Sequence, residues 1–195
     1  MTKSRRYALG LALLSVSTAG CVCRPPYNPS VCVDFDPPLV VGTEYGASAG
    51  NSSGDVVFTS NNIPVSVHDF VYTGGGGNFN KAYIDNAPLP FGSGQSIRTN
   101  NINLKFDFSH LAFTPSQVQF EFLDMGGFEN LSVNGTPVYA GEFTLAPSPM
   151  GGAVVSTFTT PVTGGKKGVM ILNGPINEVL IGGQELWIDN VCVRQ

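Results

Sequence analysis

Gln117-Val-Gln-Phe-Glu-Phe-Leu-Asp-Met-Gly-Gly-Phe-Glu-Asn-Leu-Ser-Val-Asn-Gly, residues 117 to 135, decides the fold. Val118, Phe120 and Phe122 alternate with Gln119 and Glu121, the period of two that marks a strand with one face buried. Asp124 starts a turn, Gly126-Gly127 breaks the run, and Leu131-Ser-Val resumes it. Asn134-Gly135 then stands before Pro137-Val-Tyr, the strongest short hairpin signal in the chain, because both residues tolerate positive φ. Working outward, the same alternation of strand-like runs and turn clusters fills the chain. Val56 to Thr59, Ile63 to Tyr72, Ile102 to Phe108, Val154 to Thr159, Gly168 to Leu172, Glu178 to Ile181 and Glu185 to Val193 are rich in β-branched and aromatic residues. Breaks fall at Gly74 to Gly77, Ala87-Pro-Leu-Pro90, Gly151-Gly152, Gly164-Gly165 and Gly182-Gly183. No segment carries a helical stripe. About nine or ten strands without intervening helices predict an all-β chain folded as a two-sheet antiparallel, jelly-roll-like β-sandwich.

The N-terminus carries a different signal. Lys3, Arg5 and Arg6 precede an apolar run, Tyr7 to Val16, that ends in Ser17-Thr-Ala-Gly-Cys21. Basic start, short apolar stretch and small residues define an export signal over residues 1–20, and the run is too short for a spanning helix. The small residues before Cys21 resemble the lipobox of a bacterial lipoprotein, which implies acylation of Cys21 and attachment to the cell envelope. Ser17-Thr-Ala also suits an ordinary signal peptidase cutting before Gly20, the alternative reading, which would release a secreted protein. Residues 21–30, with Pro25, Pro26 and Pro29, read as a Pro-rich tether, and residues 31–195 as a single sandwich domain.

Charged residues make up only 12% of the 195-residue chain, about half the usual share, while Gly, Asn, Ser and Thr abound, the profile of extracellular β-domains with many tight turns. Without the leader, the ten Lys and Arg fall to seven against fourteen Asp and Glu, a formal charge of −7 in place of −4. The remaining cations are scattered, and only Lys166-Lys167 touch, between glycines that suggest a turn. Nucleic acid and anionic lipid surfaces need clustered cations, so neither is an expected partner.

The cysteines fit an oxidising compartment. Cys32 lies in the first strand-like segment and Cys192 in the last, and the first and last strands of a jelly roll commonly lie side by side, so a Cys32–Cys192 disulfide would staple the domain. Pairing of Cys23 with either remains the alternative. A zinc site is disfavoured, because C-x-x-C knuckles are absent and the chain has two histidines.

Val33-Asp-Phe-Asp36 followed by Gly42-Thr43 and Tyr45, with a closing Trp187-Ile-Asp-Asn-Val191, resembles the galactose-binding-like jelly rolls of carbohydrate-binding modules. The resemblance covers both ends of the domain. It implies a structural calcium ion held by Asp36 or Asp34 together with Asp189. Calcium takes six to eight oxygen ligands, so backbone carbonyls and Asn190 would have to complete the shell. Strict alternation would turn Asp189 away from the side that Cys192 shares with Cys32 and Asp34, so a bulge or strand end must intervene. Without calcium, the same acids would be solvated or hydrogen-bonded at strand ends. The middle of the chain, from Asn100 to Gly135, also resembles exported bacterial β-proteins, a likeness that carries no activity.

In Ile63 to Tyr72, Ser66, His68, Phe70 and Tyr72 share one face and the valines the other. With the valines inward, His68, Phe70 and Tyr72 would form an aromatic, hydrogen-bonding strip suited to sugars; with both faces covered, Phe70 simply packs. Trp187 divides in the same way between ligand stacking and core. Glu121, Asp124 and Glu129 are near enough in sequence to suggest a glycosidase carboxyl pair, but the Gly126-Gly127 turn separates them, and no nucleophile elbow accompanies either histidine. The expected function is a non-catalytic binding module recognising carbohydrate. The alternative is a structural or adhesive surface protein with protein partners, and a glycoside-active enzyme ranks third.

Overall fold

The computed structural model describes residues 30 to 195. The leader, Cys21, Cys23 and all of the tether before Ser30 lie outside the described residues. The strands in chain order are β1 (Val31–Val33), β2 (Glu44–Gly46), β3 (Val56–Ser60), β4 (Ile63–Val71), β5 (Gly77–Asn78), β6 (Lys81–Asp85), β7 (Ser96–Asn100), β8 (Ile102–Asp107), β9 (Gln117–Asp124), β10 (Glu129–Val133), β11 (Tyr139–Gly141), β12 (Val154–Val162), β13 (Gly165–Asn173), β14 (Glu178–Gly183) and β15 (Leu186–Arg194). Among the described residues there is no α-helix, only two short 3-10 turns at Ala47–Ala49 and Phe143–Leu145.

The strands form two antiparallel sheets packed as a sandwich. The larger, of eight strands, runs β12-β13-β9-β15-β7-β6-β2, with β1 also on β15; the smaller, of seven, runs β11-β10-β14-β8-β4-β3, with β5 on β4. Alternation sorts the side chains as the sequence implies. Val118, Phe120 and Phe122 of β9 turn inward with Met170 and Leu172 of β13, and meet Leu104 and Phe106 of β8 and Ile181 of β14, all fully buried. Each such side chain contributes about 1.5–3 kcal/mol on burial. Phe120 and Phe122 both pack edge-on against Phe143 at one end of the core.

One flank of β15 is shared by two strands. Leu186 to Ile188 pair with β7, whereas Val191 to Val193 pair with β1. At the hand-over the register against β9 shifts between Asp189 and Cys192, and Asn190 adopts φ 49°. Asn is among the few residues at ease in the left-handed region, and the extra residue is a β-bulge. The bulge resets the alternation, so Asp189 and Cys192 come to the same outer side, as the terminal sequence requires. Cys32 and Cys192 are direct cross-strand partners and form a disulfide spanning 160 positions. A disulfide of this kind belongs to an oxidising, extracytoplasmic environment. Lys166 and Lys167, read from their glycine neighbours as a turn, instead open β13.

Candidate functional site

Residues directly opposite on neighbouring strands share a face, and two rows cross the outer side of the large sheet. The first joins Phe158, Val169, Glu121 and Asp189; the second joins Thr160, Lys167, Leu123, Trp187, Arg98 and Tyr83. The segment of residues 86–95, between β6 and β7, lies over this face. Lys167 Nζ on β13 donates to Pro90 O at 2.9 Å, Ser93 N donates to Asp189 Oδ2 at 2.6 Å, and Gln95 N donates to Asp36 Oδ1 at 2.7 Å. The approach is so close that a Cβ on Gly92 would stand 2.1 Å from Asp189 Oδ2, and one on Gly94 2.0 Å from Asp36 Oδ1. Both glycines also have positive φ, so only glycine fits.

Under this segment Leu123 and Trp187 are buried although they point away from the main core. Trp187 is 4% exposed, its Nε1 donates to Asp85 Oδ2 at 3.0 Å, and the Arg98 guanidinium lies 4.4 Å from its ring centroid. Beyond the segment, towards edge strand β12, the face opens into a groove of about 330 Å³ lined by Phe91, Glu121, Phe158, Thr160, Lys167 and Val169. Phe158 is 63% exposed there. The groove offers two phenyl rings, of which that of Phe158 is the exposed one, a hydroxyl, an ammonium group and the Glu121 carboxylate, whose Oε2 accepts from Asn190 Nδ2 at 3.1 Å. Burial raises the Asp189 carboxyl to about 6; the Ser93 and Asn190 amides oppose the shift, and Glu121 and Asp36 add to it.

A second polar group lies between the sheets at the end where β9 turns into β10. Asp124 follows the inward parity of Phe122, and Glu129 follows that of Leu131 and Val133, so the two carboxyls face each other from opposite sheets. Lys166, paired across from Asp124, places Nζ 2.9 Å from Asp124 Oδ2 and 3.7 Å from Glu129 Oε1, and it also contacts Glu142. Gly126 N donates to Asp124 Oδ1 at 2.9 Å, and Phe143 N donates to Glu129 Oε2 at 2.8 Å. Glu129 is buried to 1% exposure, and Oε1 has no hydrogen-bond donor. Desolvation, then the hydrogen bond and charge of Asp124, push the Glu129 carboxyl up to about 9, against the pull of Lys166 and the Phe143 amide. Lys166 is held firmly as an ammonium by Glu142 and Asp124 in spite of its partial burial.

Carboxylate oxygens of Asp124, Glu129 and Glu142 lie within 4.8 Å of one another and could hold a metal ion. They supply three of the six to eight oxygens calcium takes, and the Lys166 ammonium already brings a positive charge among them. The pair implied by the terminal motifs is arranged differently. Asp36 and Asp189 converge on one segment, but both oxygens of Asp189 accept backbone N–H groups, from Ser93 and Asn190, and Asp36 Oδ1 accepts that of Gln95. Asp34 is exposed on the same outer side.

The proposed strip on β4 is not an open surface. Phe70 is fully buried, packed edge-on against Tyr72 at 5.4 Å, and His68 is half-buried with Nε2 3.0 Å from Ser66 Oγ. Neither Phe70 nor Trp187 shows a ring face to solvent. Glu121 points outward while Asp124 and Glu129 point inward, so the three acids form no common site. The groove residues Phe158 and Thr160 went unrecognised in the sequence. The available signal was the alternation Val154, Ser156, Phe158, Thr160, which puts an aromatic ring on the polar face of a strand. No known family, curated protein or solved structure matches the chain.

Proposed function

We propose that this domain is a non-catalytic carbohydrate-binding module working outside the cytoplasm, held to the envelope if Cys21 is acylated and secreted otherwise. The single observation that supports it is the groove on the outer face of the large sheet. Phe158 presents an exposed ring for stacking on a sugar face, and Thr160, Glu121 and Lys167 surround it with hydroxyl-matching polar groups. The test is a polysaccharide and glycan screen of the purified chain, run once with calcium and once with chelator. Phe158→Ala should weaken any binding roughly tenfold, the loss of about 1–1.5 kcal/mol of stacking. Because the ring is exposed, thermal stability should hold. Binding that vanishes with chelator would support the calcium ion implied at Asp36, Asp34 and Asp189; binding unmoved by both chelator and Phe158→Ala would place the ligand elsewhere.

A second reading, a structural or adhesive domain with protein partners, is favoured by β12 itself. Its nine residues form an edge of the large sheet, carry no charged side chain and expose Val154 and Phe158. Long uncharged edges accept an added strand. A screen without glycan binding, together with capture of an extended peptide by this edge, would favour it. A glycoside-active enzyme ranks last, since Glu121 and the Asp124–Glu129 pair lie on opposite sides of one sheet.

A further inference from the structure

We propose that Lys166 and Asp124 form an intramolecular amide, a covalent cross-link between β13 and β9 made by the folded domain itself. The proposal is independent of the groove and of any ligand. It rests on four chemical parts gathered at one end of the core. The nucleophile is Lys166 Nζ, 2.9 Å from Asp124 Oδ2. The electrophile is Asp124 Cγ, in a residue buried to 5% exposure whose other oxygen already receives the Gly126 N–H at 2.9 Å. The proton donor is Glu129, buried opposite Asp124 with an oxygen that no donor reaches. An oxygen left without a donor is satisfied once it carries a proton and donates to Asp124 itself. The proton acceptor is Glu142, which contacts Lys166 from the solvent side.

The step balances without an outside reagent. The ammonium of Lys166 gives one proton to Glu142, and Glu129 gives its proton to Asp124 Oδ2. The neutral amine attacks Cγ, and the negative charge that develops on Oδ1 faces the Gly126 N–H, a preorganised donor of the oxyanion-hole kind. The nitrogen passes a second proton through Glu129 to the leaving oxygen. The Cγ–Oδ2 bond breaks, one water departs, and a Cγ–Nζ amide remains; Glu142 then returns its proton to Glu129 or to solvent. No electron changes hands. In free solution water would outcompete such a condensation, but fixed partners reach effective molarities of ~10⁵–10⁸ M. The burial of Asp124 and Glu129 excludes the water that would reverse it. Asp124 is the expected partner rather than Glu142, because Asp124 is buried and already receives the Gly126 N–H, whereas the Glu142 side chain is partly exposed.

Strand geometry supports the same pairing. Lys166 and Asp124 are direct cross-strand neighbours, and Gly165 brings the strands so close that a Cβ there would stand 2.1 Å from Asp124 O. A bond here would fasten the β12–β13 hairpin to the middle of the sheet.

The test is mass spectrometry of the purified full chain after disulfide reduction, with its N-terminus determined. The expected result is a mass lower than that of the sequence by one water, and a branched proteolytic peptide joining Lys166 to Asp124. Lys166→Arg and Asp124→Ala should restore the full mass. Glu129→Gln should remain folded by circular dichroism yet stay unlinked, which separates loss of the acid from loss of the fold. The unaltered chain decides the matter without any variant. Recovery of linear peptides containing Lys166, at full mass, overturns the proposal, as does a water loss mapped to Glu142 or to any other residue.

Discussion

Removing the Cys32–Cys192 disulfide by Cys32→Ser with Cys192→Ser should destabilise the domain through its unfolded state. The bond closes a separation of 160 positions, and the loop-closure relation gives about 5 kcal/mol at 25 °C for a loop of that size. The folded state should survive the change. Val31 and Val33 keep their backbone pairing with Val193 and Val191, and Val33 and Phe35 remain fully buried in the core. The loss should therefore appear as a lower denaturant midpoint with a slope that stays equal or rises, because the released unfolded chain exposes more surface. In a thermal scan it corresponds to a fall of roughly 10–20 °C for a domain of this size. Chemical reduction of the unaltered protein should reproduce the variant. A loss under about 1 kcal/mol would refute the reasoning, since the unfolded chain would then be restrained by something other than this bond. Native-like circular dichroism lost in the variant would refute it differently, by showing that β1 depends on the cross-link to dock.

Further outcomes follow from the sites. Gly94→Ala should cost about 1–3 kcal/mol, because a side chain there collides with Asp36 and needs a positive φ; faster hydrogen exchange confined to the segment of residues 86–95 would confirm that its docking is what fails. Trp187→Phe, which removes the hydrogen bond to Asp85 and part of the stack on Arg98, should cost about 1–3 kcal/mol in urea unfolding. Stability should fall as pH rises through the mildly acidic range. Asp189, raised to about 6, and Glu129, raised to about 9, keep protons in the folded state that the unfolded chain releases near pH 4, so the Asp189 contribution is lost between pH 4 and 6 and that of Glu129 between pH 4 and 9. In a Lys166→Arg background, which carries no amide, Glu129→Gln should flatten the melting-temperature profile above pH 6; a profile that climbs from pH 5 to 8 in that background would contradict both assignments.

Most of the sandwich was legible because its strands alternate cleanly. Val118, Phe120 and Phe122 of β9 turn one face to the core, and Ile102, Leu104 and Phe106 of β8 do the same from the facing sheet; β15 departs, being buried on both faces from Leu186 to Asp189 and bulged beyond it. The strands left out are instructive. Lys81–Asp85 and Ser96–Asn100 carry charged and amide residues that propensity disfavours, and they are strands because Ala82, Ile84 and Ile97 enter the core. The convergence of Asp36 and Asp189 was within reach through the terminal motifs and the bulge that alternation demanded. The segment that joins them, Phe91 to Gln95, was not, since nothing local says that a Gly-rich connection will lie across three strands. For Phe70 and Trp187 the sequence left ligand stacking and burial both open, because alternation tells which face a ring takes but not whether that face is covered. The meeting of Lys166 with Glu129 depends on contact between two sheets, information that strand periodicity does not contain.

The place of β15 fixes when the domain can form. Residues 186 to 194 lie inside the eight-stranded sheet, with β9 on one side and β7 and β1 on the other. Until that stretch is available, β1 has no strand to pair with among the described residues, β9 lacks one of its two neighbours, and Cys32 lacks the partner it meets in the folded domain. Closing the large sheet therefore waits on pairing between segments far apart in the chain, the slow long-range step of β-rich topologies.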